Sequence, residues 1–274
     1  MTKITTISTE QRWNEWFAGI IDGDGCFYIN KNKEISFEIT THITDAKLLY
    51  HIKHILTGGS VKQRSNSQSV RYRVKKKSII FNILNRINGK LWNPTRLCQF
   101  NIACNIMNTV SIDSTMLTNQ SPYLAGLIDS DGTITIGVSH TSANLSTISG
   151  VEGRIQRLIY SRGDHQLSLT VAGINKEHIF LLLQVYELGS VYNIKPGQKS
   201  KKVQYHWVVR TEQDFMKLYE CFKKFPLKSV KMHRLRLLPI YFKYKQLKYH
   251  LSKPESLEFK QWQKFCRLWY KYSY

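Results

Sequence analysis

Apolar residues follow helical and strand spacings in the same order in both halves of the chain. Spacings of three and four residues predict helices at 10–22, 45–56, 78–87, 94–107, from 122, 176–188, 212–224, 229–249 and from 254. Alternation predicts strands at 26–31, 34–41, 60–65, 70–75, 133–137, 154–161, 165–172, 190–195 and 203–210. The order is αββαββα in each half, which predicts an α+β fold with one antiparallel sheet per half.

A nine-residue phrase marks the start of each half. Phe17–Gly25 (FAGIIDGDG) returns as Leu124–Gly132 (LAGLIDSDG), and each copy leads from an apolar helix into a predicted strand. A repeat a little over 100 residues apart is longer than a solenoid unit, so it indicates two similar domains. We expect them at 1–116 and 117–274, joined by a polar linker at about 109–120.

Small residues recur one helical turn apart in each copy. Gly19 and Gly23 share one face of the first helix, and Gly126 and Ser130 hold the matching places in the second. Small residues at this spacing let two helix backbones approach closely. The pattern therefore predicts that the two helices pair across a pseudo-twofold axis.

Such pairing would bring Asp24 and Asp131 side by side at the helix ends. A helix C-terminus does not favour an anion, and neighbouring carboxylates repel each other. Divalent cations would relieve that cost, and Mg²⁺ suits carboxylate and phosphate oxygens. For Asp22 and Asp129 we expect a different role, in which they brace the helix ends without binding metal.

The two phrases, with their acids and following strands, resemble those of the LAGLIDADG homing endonucleases. The resemblance covers nearly the whole chain. It implies two pseudo-symmetric domains whose curved sheets form a DNA-binding saddle, and a monomer that cuts both strands of a long DNA duplex to leave 3′ overhangs. The gene would be intron-encoded.

The resemblance also implies a catalytic set. Asp24 and Asp131, with the backbone carbonyls of Gly23 and Ser130, would bind two or three Mg²⁺ ions, and Ca²⁺ would support binding without cleavage. A basic residue is expected near each site, and we assign Lys231 and Arg96. Arg exchanges protons poorly, so the role of Arg96 would be electrostatic. The family's usual glutamine near the end of the second strand has no counterpart here, so the water-positioning residues stay open.

Alternating strand residues identify candidate DNA contacts. One face of several strands is apolar, while the other carries cationic, amide or hydroxyl side chains suited to the major groove and to phosphates. The first-half candidates are Tyr28, Asn30, Glu38, Thr40, Lys62, Arg64, Arg71, Arg73 and Lys75. The second-half candidates are Thr133, Thr135, Arg154, Gln156, Lys195, Gln204, His206 and Arg210.

Charge supports a polyanionic partner. Lys and Arg outnumber Asp and Glu by 40 to 19, and the excess is spread over both halves. Five dispersed cysteines without a CxxC motif indicate free thiols. No apolar run is long enough to predict a membrane span. Lys/Asn/Ile-rich composition favours an organellar gene, in a mitochondrion rather than a chloroplast.

Two other functions remain open from the sequence. The charge and an aromatic C-terminal helix also fit an RNA maturase that assists splicing of its host intron, alone or in addition to cleavage. A DNA-binding repressor on the same scaffold is a third reading, although retention of both acids favours a nuclease. The aromatic helix itself is expected to pack in a core, with base stacking as the alternative.

Overall fold

The computed structural model describes residues 8–196 and 202–273. The elements of the first half are α1 (Thr9–Asp24), β1 (Gly25–Ile29), β2 (Ile35–His42), α2 (Ala46–Ile55), β3 (Ser60–Gln63), β4 (Ser69–Val74), α3 (Lys77–Ile87) and α4 (Pro94–Ile106). A 3₁₀ turn (Ile43–Asp45) joins β2 to α2. The αββαββα order predicted for this half is confirmed.

The second half repeats that order with additions. Its elements are α5 (Tyr123–Asp131), β5 (Gly132–Val138), α6 (Ala143–Ser146), α7 (Gly150–Ile159), β6 (His165–Gly173), α8 (Lys176–Tyr186), β7 (Ser190–Ile194), β8 (Gln204–Val209), α9 (Glu212–Lys224), α10 (Lys231–Arg236), α11 (Leu238–Gln246) and α12 (Leu257–Trp269). The additions are α6 and α7 between the first two strands, and α11 and α12 after α10, which takes the place of α4.

Each half builds one four-stranded antiparallel sheet. The strand orders are β1-β2-β4-β3 and β5-β6-β8-β7, so the two sheets have the same topology. Alternation decides which face is buried: Phe37 and Ile39 of β2, and Leu169 of β6, are at most 1% exposed. The α+β class and the antiparallel sheets are therefore confirmed.

The prediction of a strand at 154–161 is wrong. Arg154 and Gln156 lie on helix α7, and Tyr160 follows its end. Ile155, Leu158 and Ile159 are buried at helical spacing, although two of them also fit an alternating pattern. That ambiguity produced the error, so Arg154 and Gln156 do not belong to a sheet face.

Helix boundaries differ at three points from the prediction. Helix α1 begins at Thr9 and not at residue 10, because Ser8 caps it: the Ser8 hydroxyl accepts a hydrogen bond from the backbone of Gln11 at 3.1 Å. The helix expected at 229–249 is divided into α10 and α11. The final helix begins at Leu257 and not at Pro254, because Ser256 caps it.

The aromatic C-terminal helix packs in the core, as predicted. Trp262, Phe265 and Trp269 of α12 are at most 2% exposed. The indole of Trp262 also donates a hydrogen bond to the carbonyl of Ile159, which holds α12 against α7. All five cysteines are free thiols. Over residues 8–196 and 202–273, no helix has the length and apolarity needed to cross a membrane.

Candidate active site at the helix interface

Helices α1 and α5 pack with their backbones in direct contact, as the small residues predicted. A Cβ built on Gly19 would lie 2.2 Å from the carbonyl oxygen of Tyr123, and one on Gly126 would lie 1.9 Å from that of Trp16. Real Cβ atoms do not approach backbone atoms so closely. Glycine is therefore required at both positions, and we call this contact the helix interface.

The third close contact lies nearer the helix ends. A Cβ on Gly23 would meet the Ser130 hydroxyl oxygen at 2.1 Å. That hydroxyl donates within its own helix, to the carbonyls of Gly126 and Leu127 at 3.1 Å. The small side chain of Ser130 thus fills the space that Gly23 leaves open.

Asp24 and Asp131 are the last residues of α1 and α5, and they lie together where the helix interface ends. The Cβ position of Gly23 is 3.2 Å from the carboxyl carbon of Asp131. Burial, and secondarily the charge of Asp131, raises the pKa of Asp24 to about 7. Burial also raises the pKa of Asp131 above its ordinary value. The predicted juxtaposition of the two carboxylates is present, and it concentrates negative charge that cations would stabilise.

Asp22 binds the segment that precedes α4. Its carboxylate accepts hydrogen bonds from the backbone N–H groups of Trp92 at 2.7 Å and Asn93 at 3.1 Å, and from the Tyr123 hydroxyl at 2.7 Å. Burial raises the pKa of Asp22 to about 7, although these donors act in the opposite direction. The residue ties α1 to α4 and α5, which fits the bracing role predicted for it.

Asp129 plays the equivalent part in the second half. Its carboxylate accepts from the backbone N–H groups of Lys228 and Ser229, and from the indole of Trp16, each at 2.9 Å. The indole belongs to α1, so the contact crosses the helix interface. Each first acid of the phrase therefore holds the chain just before a helix that carries a candidate basic residue.

The two basic candidates meet the backbone at the helix ends. Arg96, on α4, donates to the carbonyl of Gly23 at 3.0 Å. Lys231, on α10, donates to the carbonyls of Ile128 and Ser130 at 2.8 Å and of Asp129 at 2.9 Å. Both cations lie close enough to lower the pKa of Asp24 and Asp131 through their charge. They also engage the two carbonyls that were predicted to bind metal.

The carboxylate oxygens at this site are ligands that suit a hard divalent cation. In the described part of the chain, no three His, Cys, Asp or Glu residues are grouped as a metal site. The protein would therefore offer two carboxylates, with water and substrate phosphates completing the coordination. Mg²⁺ is commonly bound in this way, through one or two carboxylates and phosphate oxygens.

The first sheet presents its polar face in cross-strand rows. Glu38 of β2 lies opposite Arg73 of β4, and Thr40 lies opposite Arg71, which in turn faces Lys62 of β3. Glu38 forms salt bridges with Arg71 at 3.0 Å and with Arg73 at 2.7 Å. These side chains share one sheet face, as the alternation predicted.

The other first-half candidates lie at the edges of that face. Tyr28 is an exposed residue of β1. Asn30 is in the turn after β1, where its side chain accepts from the backbone of Asn32 and Glu34. Arg64 and Lys75 are exposed and follow β3 and β4.

The second sheet has a less basic polar face. Thr133 and Thr135 of β5 are exposed and lie opposite Thr170 and Ser168 of β6. His206 of β8 faces Tyr192 of β7. Hydroxyl groups thus replace most of the cations of the first sheet.

Three further candidates lie on or beside β7 and β8. Arg210 covers the ring of Tyr192, with its guanidinium carbon 5.1 Å from the ring centroid. Gln204 is half-buried beside His206, and Lys195 is exposed just after β7. Arg154 lies on α7, where it stacks over Tyr270 and lines clefts that Thr133 and Thr135 also line.

Sequence reasoning missed several residues at the site and on the sheets. Ser168, Thr170 and Tyr192 share the polar face, but we did not select them; the alternation that identified Thr133 would also have found these three. Asp45 and Asn175 approach the site across the helix interface. Nothing local in the sequence indicates those two contacts.

Paired helices, two like sheets and two carboxylates where the helices meet define a single chain in which one helix-and-sheet module occurs twice. The LAGLIDADG endonuclease family model matches residues 17–107 and 124–242. The chain belongs to the LAGLIDADG endonuclease family. Members of this family use divalent metal ions.

Two curated relatives cover nearly all of the chain. It is 31% identical over 268 residues to the probable intron-encoded endonuclease aI2 of Debaryomyces hansenii, and 32% identical over 259 residues to the intron-encoded RNA maturase bI4 of Saccharomyces cerevisiae. These alignments take in 96% and 94% of this chain but 38% and 36% of the relatives. The chain therefore spans less than two fifths of either relative.

Solved structures share the fold. The LAGLIDADG meganuclease I-AabMI bound to uncleaved DNA has a TM-score of 0.64 at 19% identity, covering 92% of this chain and 98% of the other. I-SmaMI bound to an uncleaved DNA target with calcium ions has a TM-score of 0.61 at 15% identity, covering 92% and 97%. At these identities the likeness establishes the fold.

Proposed function

We propose that this chain is a site-specific homing endonuclease that hydrolyses both strands of a long DNA duplex. The observation that carries the proposal is the meeting of Asp24 and Asp131, one from each half, at the end of the helix interface. Two neighbouring carboxylates whose pKa values are raised by desolvation are costly for the fold. Bound divalent metal ions would offset that cost, and they would also serve a metal-dependent reaction.

The residues of the site divide the work of phosphodiester hydrolysis. Asp24 and Asp131 would hold Mg²⁺, in two or three ions, with help from the carbonyls of Gly23 and Ser130. The bound metal would supply charge stabilisation and activate water. Lys231 and Arg96 would place positive charge beside the two scissile phosphates. Ca²⁺ is expected to support DNA binding without cleavage.

The polar sheet faces would bind the DNA. Arg71, Arg73 and Lys62 suit phosphates and guanine edges, while Thr133 and Thr135 suit smaller polar contacts in the major groove. The two faces differ in charge, so the target need not be a palindrome. Arg154 and Gln156 would make the DNA contacts predicted for them from helix α7 and not from a strand.

Several properties accompany the nuclease proposal. The chain would act as a monomer, because it contains both acids, and it would leave 3′ overhangs by cutting across the minor groove. We propose domains at 1–116 and 117–274 with the linker near 109–120. Intron-encoded fungal relatives support an organellar site of action, in a mitochondrion rather than a chloroplast.

Selection from a randomised DNA library with Mg²⁺ would give a target for the decisive test. Asp24→Asn and Asp131→Asn should each abolish double-strand cleavage, because each removes a charged metal ligand. Binding of the same target in Ca²⁺ should be largely retained. Asp113→Asn, an equivalent change at an exposed residue away from the site, should cut normally. Full cleavage by either active-site variant would contradict the proposal.

An RNA maturase is the second candidate, and one observation favours it specifically. The relative at 32% identity over 259 residues is named an RNA maturase. The net charge of +21 also suits RNA. A splicing assay with the host intron would test this role, and Asp24→Asn should still promote splicing if that role needs no metal-bound aspartate.

A further inference from the structure

Two helix-capping positions hold polar residues that do not cap. Asp45 and Asn175 occupy the N-cap positions of α2 and α8, the helices that follow the second strand of each sheet. Both residue types are strong N-caps. Neither side chain makes a capping hydrogen bond here, whereas Thr211 and Ser256 cap their own helices. Asp45 and Asn175 instead reach into the opposite half.

Asp45 contacts the start of the helix that carries Lys231. Its carboxylate accepts a hydrogen bond from the backbone N–H of Val230 at 2.7 Å, across 185 residues of sequence. Val230 is the N-cap of α10, and Lys231 is its first residue. The carboxylate of the first half therefore fixes the backbone from which the Lys231 side chain extends to the end of α5.

Asn175 makes the corresponding contact in the other direction. Its amide donates to the side chains of Asn93 at 2.7 Å and Thr95 at 3.2 Å. Asn93 is the N-cap of α4, and Arg96 lies in the first turn of that helix. The amide of the second half thus fixes the turn from which Arg96 extends to the carbonyl of Gly23.

The two contacts are related by the pseudo-symmetry of the fold. Asp45 and Lys231 line one cleft of about 360 Å³, and Asn175 and Arg96 line another of about 190 Å³. In each cleft, a residue from one half bonds to the start of the helix that carries the basic residue of the other half. The duplicated geometry argues against a chance surface contact.

We propose that Asp45 and Asn175 are positioning residues, each of which sets the catalytic cation of the opposite half. The proposal rests on the nuclease function, because the cations act on the scissile phosphates. It follows that each nicking site depends on both halves of the chain. Loss of one contact should therefore slow the cutting of one strand far more than that of the other.

The two contacts should differ in strength. The Asp45 carboxylate makes a charge-assisted hydrogen bond and adds negative charge beside the Lys231 ammonium. Asn175 is neutral, and hydrogen bonds between neutral groups are weaker. The strand served by Lys231 should consequently be more sensitive to Asp45→Ala than the strand served by Arg96 is to Asn175→Ala.

Strand-resolved nicking of a selected target tests the proposal. With each strand labelled at its end, Asp45→Ala should slow the same strand as Lys231→Ala, by about tenfold. Asn175→Ala should slow the opposite strand, the one affected by Arg96→Ala. Asp45→Asn keeps an acceptor for the Val230 N–H and should recover much of the rate. Ser256→Ala, which removes a cap from the distant helix α12, should leave the strand ratio unchanged.

Hydrogen exchange supplies a readout that needs neither DNA nor metal. The Val230 amide should exchange faster in Asp45→Ala than in the wild type, and Asp45→Asn should restore its protection. A wild type that cuts DNA, together with Asp45 and Asn175 variants that slow both strands equally, would overturn the positioning role. A wild type that cuts no DNA would contradict the nuclease proposal instead, and the exchange of Val230 would still decide whether the Asp45 contact exists.

Discussion

The contact between Gly23 and Ser130 offers a direct test of how the two halves fit together. In Gly23→Ala the added carbon would lie 2.1 Å from the hydroxyl oxygen and 2.6 Å from the Cβ of Ser130. Both atoms belong to one small side chain. Ser130→Gly would remove them and leave the carboxyl carbon of Asp131, at 3.2 Å, as the nearest recorded neighbour.

Opposing effects set the expected magnitude. Alanine is favoured over glycine inside a helix by about 1 kcal/mol. Overpacking a close contact costs roughly 1–3 kcal/mol. Gly23→Ala should therefore lower the free energy of unfolding by about 1 kcal/mol in the wild type. In a Ser130→Gly background, Gly23→Ala should leave the free energy of unfolding unchanged or raise it by up to about 1 kcal/mol.

Urea denaturation of the wild type, both single variants and the double variant completes a double-mutant cycle. The expected coupling between the two positions is about 1–2 kcal/mol, with the double variant more stable than the two single variants predict. A coupling below about 0.5 kcal/mol would show that the two residues do not share this space.

Gly19→Ala provides a contrast on the same helix. Its added carbon would lie 2.2 Å from the carbonyl oxygen of Tyr123 and 2.7 Å from the backbone nitrogen of Leu127. Backbone atoms cannot turn away as a side chain can. Ser130→Gly should therefore fail to restore the stability of Gly19→Ala, and recovery would contradict this account of the helix interface.

Two further predictions concern a buried histidine and the charge of the first sheet. Burial lowers the pKa of His165 to about 4, so the unfolded chain binds a proton below pH 6.5 that the fold excludes, and stability falls as the pH drops toward 4. Between pH 7 and pH 5 the free energy of unfolding of the wild type should fall by about 2 kcal/mol more than that of His165→Phe, as measured by urea denaturation. The same pH dependence in both proteins would contradict the lowered pKa of His165. Glu38 forms salt bridges with Arg71 and Arg73, so Glu38→Gln should tighten binding to mixed-sequence DNA. Fluorescence titrations should show the slope of log K against log salt concentration steepen by up to about one unit. An unchanged slope would place those arginines away from phosphates.

Much of the fold was predictable because the two periodicities are strong and the phrase is duplicated. The αββαββα order, the buried and polar faces of the strands and the pairing through Gly19 and Gly126 all follow from local spacing. The expectation that Asp22 and Asp129 brace the helix ends fits their hydrogen bonds to the backbone before α4 and α10. The same order of elements was predicted independently in both halves, and this agreement supported the assignment in each.

The remaining features depend on contacts between distant segments. The residues at 154–161 fit both periods. In the structure they form α7, whose end is held by a hydrogen bond from the Trp262 indole of α12, 103 residues away, to the carbonyl of Ile159. Asp45 begins the helix predicted at 45–56, and nothing near it in the sequence indicates a partner 185 residues away. Lys195 and the other DNA candidates stay predictions, since their test is a bound duplex.

The spacing of the two acids in the phrase explains why both are present in each copy. An α-helix turns by 100° per residue, so residues two apart point to nearly opposite sides. Asp22 therefore faces the backbone before α4, while Asp24 faces Asp131. Because Asp22 holds Trp92 and Asn93 in place, it also fixes the helix from which Arg96 reaches the end of α1. The first acid of the phrase thus helps to place the cation that accompanies the second.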